Sequence, residues 1–439
     1  MRFCPKPLSG RRNRVLTVFS LSLLLLGLIS LPTRAVPKSS PSLFVGTIYT
    51  VNTTADDDDG SCDPLPSGDC TLREAINLAN ADGDSSTIEF NIPNPGPGCD
   101  GITCIITIDS ALPSIWSPEG PTIDGTTQAA NQGDTNSYGP EIEISGETAP
   151  VGTVCFRLSS PTSHTTIKGL VIRCTGQGIR IWGNYNTIIG NYIGTDATGT
   201  AVLGSFGSGI SLDDVAQNNT IGGPTEADRN LISGNHSGIA LWGSTTTGNI
   251  IEGNYIGTDR TGTQPLGNTY HGIYIHDGAH DNTVGPNNII AYNGHLGVLV
   301  NEAGTTGNTI TQNSIHSNSL GGINLSGGGN NMLASPSLSP GACDAVGGST
   351  RIAWPSVAVE VFSDADGQGW FYEEGTFDWS PDGLSFTFYP ASGSLHGLMV
   401  TATITDLTTG DTSEFSAPVP SGCPVTFLHL PLILKNYTP

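Results

Sequence analysis

A repeat constrains this chain more than any other feature. A Gly followed by Ile or Val recurs at intervals of 25 to 34 residues, at Gly178, Gly209, Gly238, Gly272, Gly297 and Gly322. An Asn-x-Ile/Val unit then occurs twice after each of the first five, beginning at Asn186, Asn219, Asn249, Asn282 and Asn308, and again at Asn191, Asn230, Asn254, Asn288 and Asn313. Each repeat therefore holds three short runs of β-branched residues.

Such short runs cannot bury a face alone, but stacking one coil on the next pairs every backbone group. Ile and Val then stack inside, and Asn amides at the corners bond to the coils above and below. The frames of a leucine-rich repeat, a left-handed β-helix and a propeller are missing. The pattern predicts an all-β chain whose main body, residues 87–331, is a right-handed parallel β-helix, with less regular coils between Thr87 and Ile172.

The N-terminus predicts export. Arg and Lys residues precede an apolar run from Val15 to Leu31, and Thr33-Arg34-Ala35 resembles a signal-peptidase site, so residues 1–35 are expected to be a signal peptide. An uncleaved membrane anchor is the alternative, and no other segment suits a membrane span. Six of the sixteen basic residues lie in this leader, so the mature chain has a formal charge of 10 − 39 = −29. That charge argues against nucleic-acid and anionic-lipid partners.

Eight cysteines follow the leader, and an even count in an exported chain indicates disulfides. Proximity in sequence suggests four pairs, one of 105 possible connectivities. They are Cys62 with Cys70, Cys99 with Cys104, Cys155 with Cys174, and Cys343 with Cys423.

An open β-helix end needs a cover, and residues 70–81 supply one. Thr71-Leu72-Arg73-Glu74 is a capping box, and the helix after it has one apolar face, with Arg73, Asn77 and Asn80 expected outward. The segment Cys70 to Ile76, CTLREAI, resembles the motif that names the CSLREA domain of secreted bacterial proteins. The following repeats are similar to the pectin-lyase-like β-helix family. The resemblance implies a cap region over residues 36–86, and it leaves the activity open.

The C-terminal part has a different pattern. A Pro/Ser-rich linker is expected at residues 332–340, and alternating apolar residues around Val357, Phe386 and Val400 predict a small Ig-like or fibronectin-like β-sandwich at residues 341–423. Residues 424–439 form a short apolar tail that serves either as a surface-attachment signal or as a last strand.

Alternation places two columns of side chains on the outer surface of the strands that start at Gly-Ile. One column contains Trp182, Asp213, Trp242 and His276, and its neighbour contains Arg180 and Tyr274. Flat aromatic rings beside polar groups suit sugar rings, so this surface is a candidate glycan-binding face. The alternative is that the sandwich or a loop packs on the tryptophans.

Two matched loops add Asp196 and Asp259 as further binding candidates, because Asn-Tyr-Ile-Gly-Thr-Asp occurs at both places. The competing interpretation is a duplicated corner turn whose Asp bonds its own backbone.

Catalysis is the alternative to binding. Asp213, Asp214 and His236, with His276 and Asp277 nearby, could imitate the acidic pair and histidine of a polygalacturonase, but the Arg-x-Lys partner of such enzymes is missing. Calcium is the expected cofactor if there is one, with Asp364 and Asp366 as candidate ligands. The sequence thus favours an exported surface protein that binds an extracellular polysaccharide or surface glycan without catalysis. A polysaccharide lyase or glycoside hydrolase is the second hypothesis, and a purely structural surface component is the third.

Overall fold

Three parallel sheets, one for each run of the repeat, make up most of the chain. The structure is a computed structural model, and it describes residues 46–63, 69–83, 85–204, 206–364, 367–397 and 399–422. The predicted signal peptide and the apolar tail lie outside the described residues. The sheets wind into a parallel β-helix, so the predicted fold class is confirmed.

The strands of each sheet pair in chain order from coil to coil. The first sheet contains Ile48–Val51, Thr87–Phe90, Thr122–Asp124, Thr166–Lys168, Thr187–Ile189, Thr220–Gly222, Ile250–Glu252, Thr283–Val284 and Thr309–Ile310. The second contains Cys104–Thr107, Ile142–Gly146, Leu170–Cys174, Tyr192–Ile193, Leu231–Ile232, Tyr255–Ile256, Ile289–Ala291 and Ser314–His316. The third contains Phe156–Leu158, Ile179–Ile181, Ile210–Asp213, Ile239–Trp242, Ile273–His276, Leu296–Asn301 and Gly321–Ser326.

The interior is a stack of aliphatic side chains in register. In the first sheet, Ile123, Ile167 and Ile188 pair in successive coils, and each is fully buried. The other two sheets repeat this arrangement, and all three belong to one apolar core. Because strands alternate, burial of these residues turns their neighbours outward and so fixes the orientation of every surface column.

Buried asparagines connect the coils at their corners, as predicted. Asn254 donates its side-chain amide to the Ile221 carbonyl at 2.8 Å and to the Asn288 side chain at 3.1 Å. The side-chain oxygen of Asn254 accepts from the side-chain amide of Asn230 at 2.9 Å. The Asn186 and Asn191 series both form such ladders, and a third that the sequence analysis missed precedes the third sheet, with Asn235, Asn268, Asn293 and Asn318.

The N-terminal end is covered by the helix Leu72–Asp82, which has the predicted capping box. The expectation that Asn80 faces outward was wrong. Asn80 is buried, and it donates to the Ser114 carbonyl at 2.9 Å and accepts from the Trp116 amide at 2.9 Å. Arg73 is not free either, because it forms an ion pair with Asp56 at 2.8 Å. The helix thus binds the first coils through polar contacts as well as apolar ones.

Three of the predicted disulfides are confirmed, namely Cys62–Cys70, Cys99–Cys104 and Cys155–Cys174. Cys343 is disulfide-bonded, and Cys423 lies outside the described residues. The described part of the β-helix also contains the short helices Thr127–Gln132, Glu226–Asp228 and Gly329–Met332.

Two antiparallel sheets follow the β-helix and form a sandwich. One contains Ser337–Ala342, Ala345–Ser349, Ser385–Pro390 and Gly375–Trp379, and the other contains Phe371–Tyr372, Val357–Asp364, Met399–Asp406 and Val419–Pro420. The core between them includes Val361, Phe386, Phe388, Val400 and Ala402. The first strand starts at Ser337, within the segment that the sequence analysis assigned to a linker.

The sandwich closes the C-terminal end of the β-helix at the edge of the first sheet. Asp411 accepts a hydrogen bond from the Gly307 amide at 2.6 Å, and Glu360 accepts one from the Gln312 amide at 2.9 Å. These amides flank the last strand of the sheet, where no further coil can accept from them. The carboxylates therefore satisfy donors that would otherwise be unpaired.

The other two sheets end in the same way. In the second sheet, the Ile315 amide donates to the Gly369 carbonyl at 3.0 Å. In the third, the Leu325 amide donates to Glu414 at 2.8 Å. The sandwich is therefore a cap on all three sheets, which the sequence pattern did not predict.

We expect Asn254→Ala to lower the free energy of unfolding by roughly 2–4 kcal/mol, because it leaves several buried backbone groups without partners. Chemical denaturation would measure the loss. Gln264→Ala, at an exposed loop position, is the matched control and should change stability by less than about 0.5 kcal/mol. Equal stability of the two variants would contradict a structural role for the ladder.

Glu360 should make the docking of the cap pH-dependent. Burial raises the pKa of its carboxyl above the ordinary value, although hydrogen bonds from Thr311 and Gln312 oppose the shift. A raised carboxyl pKa means that the folded state favours the protonated form. The protonated Glu360 carboxyl therefore stabilises the fold fully below the ordinary pKa, and this stabilisation is lost as the pH rises. Relative to the native protein, Glu360→Gln should therefore gain stability as the pH rises above the ordinary glutamate pKa of about 4.3. Thermal melting at a series of pH values measures the difference, and a difference that does not change with pH would refute the assignment.

Candidate functional site

The outer surface of the third sheet carries the two predicted columns in register. Asp213 pairs with Trp242, and Trp242 pairs with His276. In the neighbouring column, Arg180 is followed by Ser211, Ala240 and then Tyr274. The structure thus brings together six of the residues selected from the sequence, and we call this surface the third-sheet face.

A buried carboxylate organises one end of this face. Asp213 has no exposed surface, and it forms an ion pair with Arg180 and accepts a hydrogen bond from the Ser211 hydroxyl. The Trp242 indole N–H donates to the same hydroxyl at 3.3 Å. Burial raises the pKa of Asp213 above its ordinary value, against the effect of the Ser211 and Arg180 hydrogen bonds. The network holds Arg180 and Trp242 in fixed positions relative to each other.

Aromatic rings and a guanidinium group form a continuous series along the face. The Arg180 guanidinium carbon lies 4.3 Å from the ring centroid of Trp182 and 5.8 Å from that of Trp242. Trp242 stacks on His276 with centroids 6.4 Å apart, and His276 stacks on Tyr274 at 4.0 Å. All of these side chains are half-buried, so each keeps part of its surface in contact with solvent.

More rings lie in the turn just before the third sheet. Tyr270 contacts His295 with centroids 3.8 Å apart and His236 at 5.1 Å, while His271 lies edge-on to Tyr270 at 4.6 Å and reaches Tyr274 at 5.4 Å. Of the rings in this turn, only His236 was a candidate from the sequence, as part of the catalytic hypothesis. The sequence does contain a pattern that could have predicted this group, because the residue two positions before Gly238, Gly272 and Gly297 is aromatic each time.

Two residues of earlier coils extend the face and were also missed. Ile115 forms a parallel bridge with Leu158, which pairs with Ile181, so Trp116 lies two coils before Trp182 in the same column. Trp116 is 52% exposed. Tryptophans therefore occur at every second coil, at Trp116, Trp182 and Trp242, about 10 Å apart at the usual strand spacing.

Arg157 pairs directly with Arg180 in the other column. No carboxylate of the described chain lies within ion-pair distance of Arg157. The two outward columns were not predicted to continue into the early coils, because those coils do not begin with Gly-Ile.

Asp196 and Asp259 are not on this face. The Asp196 carboxylate accepts from the Thr200 and Ala201 amides, each at 2.9 Å, and Asp259 accepts from the Gln264 amide at 3.0 Å. Both loops fold back over the second sheet. Their carboxylates close the loops in which they occur, as the corner-turn interpretation expected, and their role in binding stays a prediction.

The catalytic candidates are dispersed around the strand ends. Asp214 and Asp277 follow Asp213 and His276 with left-handed φ values of 49° and 53°, and both are exposed. His276 Nδ1 lies 3.2 Å from an Asp277 oxygen, and burial lowers the pKa of His276. Asp213 is sequestered with Arg180, so it is not available to pair with a second acid around a glycosidic bond.

The described residues contain no cluster of three or more His, Cys, Asp or Glu side chains that could hold a metal ion. Of the predicted calcium ligands, the side chain of Asp364 and the whole of Asp366 lie outside the described residues. Nor is any helix among the described segments long and apolar enough to span a membrane.

The described part of the sandwich contacts the last coils and not Trp116, Trp182 or Trp242. Its Trp370 stacks on His316 with centroids 4.4 Å apart, and its Phe415 packs against the apolar core beside Gly322. The third-sheet face between Trp116 and Tyr274 is therefore not covered by the described part of the sandwich.

Residues 154–338 match the protein family described as a right handed beta helix region, which agrees with the predicted handedness. No curated protein matches the chain in sequence.

Solved structures similar to the chain include phage tailspikes. Tailspike protein 2 from Escherichia coli O157:H7 bacteriophage CAB120 has 12% identity and a TM-score of 0.24, with 77% of this chain and 56% of that chain covered. A tailspike double mutant of E. coli bacteriophage HK620 has 8% identity and a TM-score of 0.20, with 73% and 74% covered. Another HK620 tailspike mutant, in complex with pentasaccharide, has 10% identity and a TM-score of 0.16, with 79% and 91% covered. The chain thus spans about half of the length of the first tailspike, and values this low assign no function to it.

His271 should stay neutral in the folded protein at pH values well below those at which a histidine ordinarily becomes protonated. Burial, together with the nearby His295 and His236 rings, lowers its pKa to about 4. A lowered histidine pKa stabilises the fold above the ordinary value of about 6.5, and the stabilisation is lost as the pH falls toward 4. Its ring resonances should not titrate between pH 8 and 5.5 in an NMR experiment. Titration near pH 6.5 would show that the ring is not buried as described.

Proposed function

We propose that this protein is exported and that it binds a glycan along the third-sheet face without cleaving it. The observation that carries the proposal is the row of tryptophans at every second coil, continued by His276 and Tyr274. Indole faces pack against the C–H faces of sugar rings, and the polar groups between them can bond to hydroxyls. A spacing of about 10 Å is close to the length of a disaccharide, so successive tryptophans suit successive disaccharides of one extended chain.

The rigidity of the platform supports this proposal. Trp242, Tyr274 and His276 project from strands that are paired on both sides, and Trp242 is also held by its bond to Ser211. Side chains that are fixed before binding lose little conformational freedom when a ligand arrives. A flexible polysaccharide would then bear most of the entropic cost of binding, and a longer chain can offset that cost because it contacts more of the rings.

The enzymatic alternative has weaker support because Asp213, the most central acid, is buried against Arg180. Asp214 and Asp277 remain candidates for a lyase or hydrolase. The structural alternative assigns no ligand to the face. Export follows from the predicted leader, and the resemblance of Cys70 to Ile76 to the CSLREA motif is in keeping with a secreted bacterial protein.

The test is retention of the mature protein, residues 36–439, on an array of neutral and acidic polysaccharides. We expect Trp182→Ala and Trp242→Ala each to weaken binding about tenfold, because each removes a large apolar contact surface. Trp354→Ala is the matched control, since Trp354 is 56% exposed but lies on the sandwich, and it should bind normally.

The same incubation separates the three hypotheses when released sugar ends are also measured. Retention that both face variants share with the native protein would contradict the proposed site. Release of reducing or unsaturated ends, lost in Asp214→Ala or Asp277→Ala, would make the protein an enzyme. Absence of both signals across the array would favour the structural role.

A further inference from the structure

We infer that the third-sheet face contains a subsite for an anionic group, carboxylate or sulfate, on an otherwise neutral glycan. The inference rests on the proposed function and names the class of its ligand. The subsite consists of Arg157 and Arg180, which pair across adjacent coils and project from the same side of the sheet. Both alternate with buried residues, Phe156 and Leu158 on one strand and Ile179 and Ile181 on the next.

The hydrogen bonding of Arg180 leaves its outer nitrogens free to bind. Its Nε donates to Asp213, and its two terminal nitrogens have no partner among the described residues. Asp213 and the Trp182 ring therefore fix the orientation of the guanidinium, while the terminal edge is left for a ligand. Arginine binds carboxylate and sulfate-like oxygens through such an edge with two parallel hydrogen bonds.

Arg157 supplies the net positive charge. Asp213 balances Arg180, but the Arg157 side chain has neither an ion pair nor a hydrogen bond in the described part of the chain. Only ten basic residues remain in the mature chain, and two of them are adjacent here. A partly buried, unpaired cation beside a second arginine is unusual in a protein of charge −29 and indicates an anionic partner.

The surroundings limit how many charges the ligand can carry. The column that contains Arg157 and Arg180 has Ser114 before them and Ser211 and Ala240 after them, so its positive charge is confined to two adjacent coils. The remaining acids of the protein repel a polyanion, although salt screens them beyond about 8 Å at physiological ionic strength. A heteroglycan with one anion per disaccharide fits this arrangement better than a homopolymer that is charged at every sugar.

The experiment compares hyaluronan oligosaccharides, which carry one carboxylate per disaccharide, with the same oligosaccharides after carboxyl reduction. Binding to the mature protein is measured by calorimetry in 0.15 M salt (a Debye length of about 8 Å). We expect the native protein to bind the carboxylate form about tenfold more tightly, as for one charge-assisted contact. Arg157→Gln should remove that preference while binding the reduced form as the native protein does. Carboxyl-reduced chondroitin sulfate forms the second arm, and preference for it over a fully neutral chain would assign the anion as sulfate.

Two controls separate this inference from the proposed function. Arg351→Gln removes an exposed charge on the sandwich and should leave the preference intact, and thermal melting verifies that each variant is folded. Equal affinity for charged and neutral chains, both weakened by Trp242→Ala, would overturn the anionic subsite and leave the glycan face standing. Failure of Trp242→Ala to affect any bound sugar would overturn both.

Discussion

Every feature of this molecule depends on the register between successive coils. Parallel strands of two to six residues would slip easily if only their backbones paired, because one hydrogen-bond pattern resembles the next. The buried asparagines prevent this, since an amide such as that of Asn254 meets its neighbours only when the coils are aligned. Alignment of the coils also aligns the surface, so the same bonds that hold the core place Trp242 beside His276.

At the two ends of the β-helix the ladder of hydrogen bonds stops, which would leave backbone groups unpaired. At the N-terminal end, Asn80 of the helix bonds to backbone groups around Trp116. At the C-terminal end, Asp411, Glu360 and Glu414 of the sandwich accept hydrogen bonds from the amides of the last coil. Both caps thereby suppress the end-to-end pairing that an open parallel edge invites. The N-terminal cap also fixes Trp116, so the cap and the candidate glycan face are physically connected.

Most of the fold could be predicted from the sequence because each sequence repeat corresponds to one coil. The Gly-Ile units place Trp182, Trp242 and Tyr274 correctly, since a single inward residue determines the direction of all its neighbours. Trp116 and Arg157 could not be found in this way, because their coils have no glycine to mark the start of the strand. Docking of the sandwich could not be predicted for a different reason. Asp411 and Glu360 are about 50 to 100 residues away in sequence from the amides whose hydrogen bonds they accept. No local sequence pattern indicates such a contact. The predicted roles of Asp196 and Asp259 rested on duplication alone, and duplication is equally expected of a turn that closes on itself.

The proposed function requires the third-sheet face to bind one extended glycan parallel to the axis of the β-helix. A crystal structure of the mature protein with a bound oligosaccharide of six sugars would test this. We expect sugar rings against Trp182 and Trp242, with the chain crossing the coils one after another. Density for the sugar on another surface, or across the coils at right angles to the axis, would contradict it.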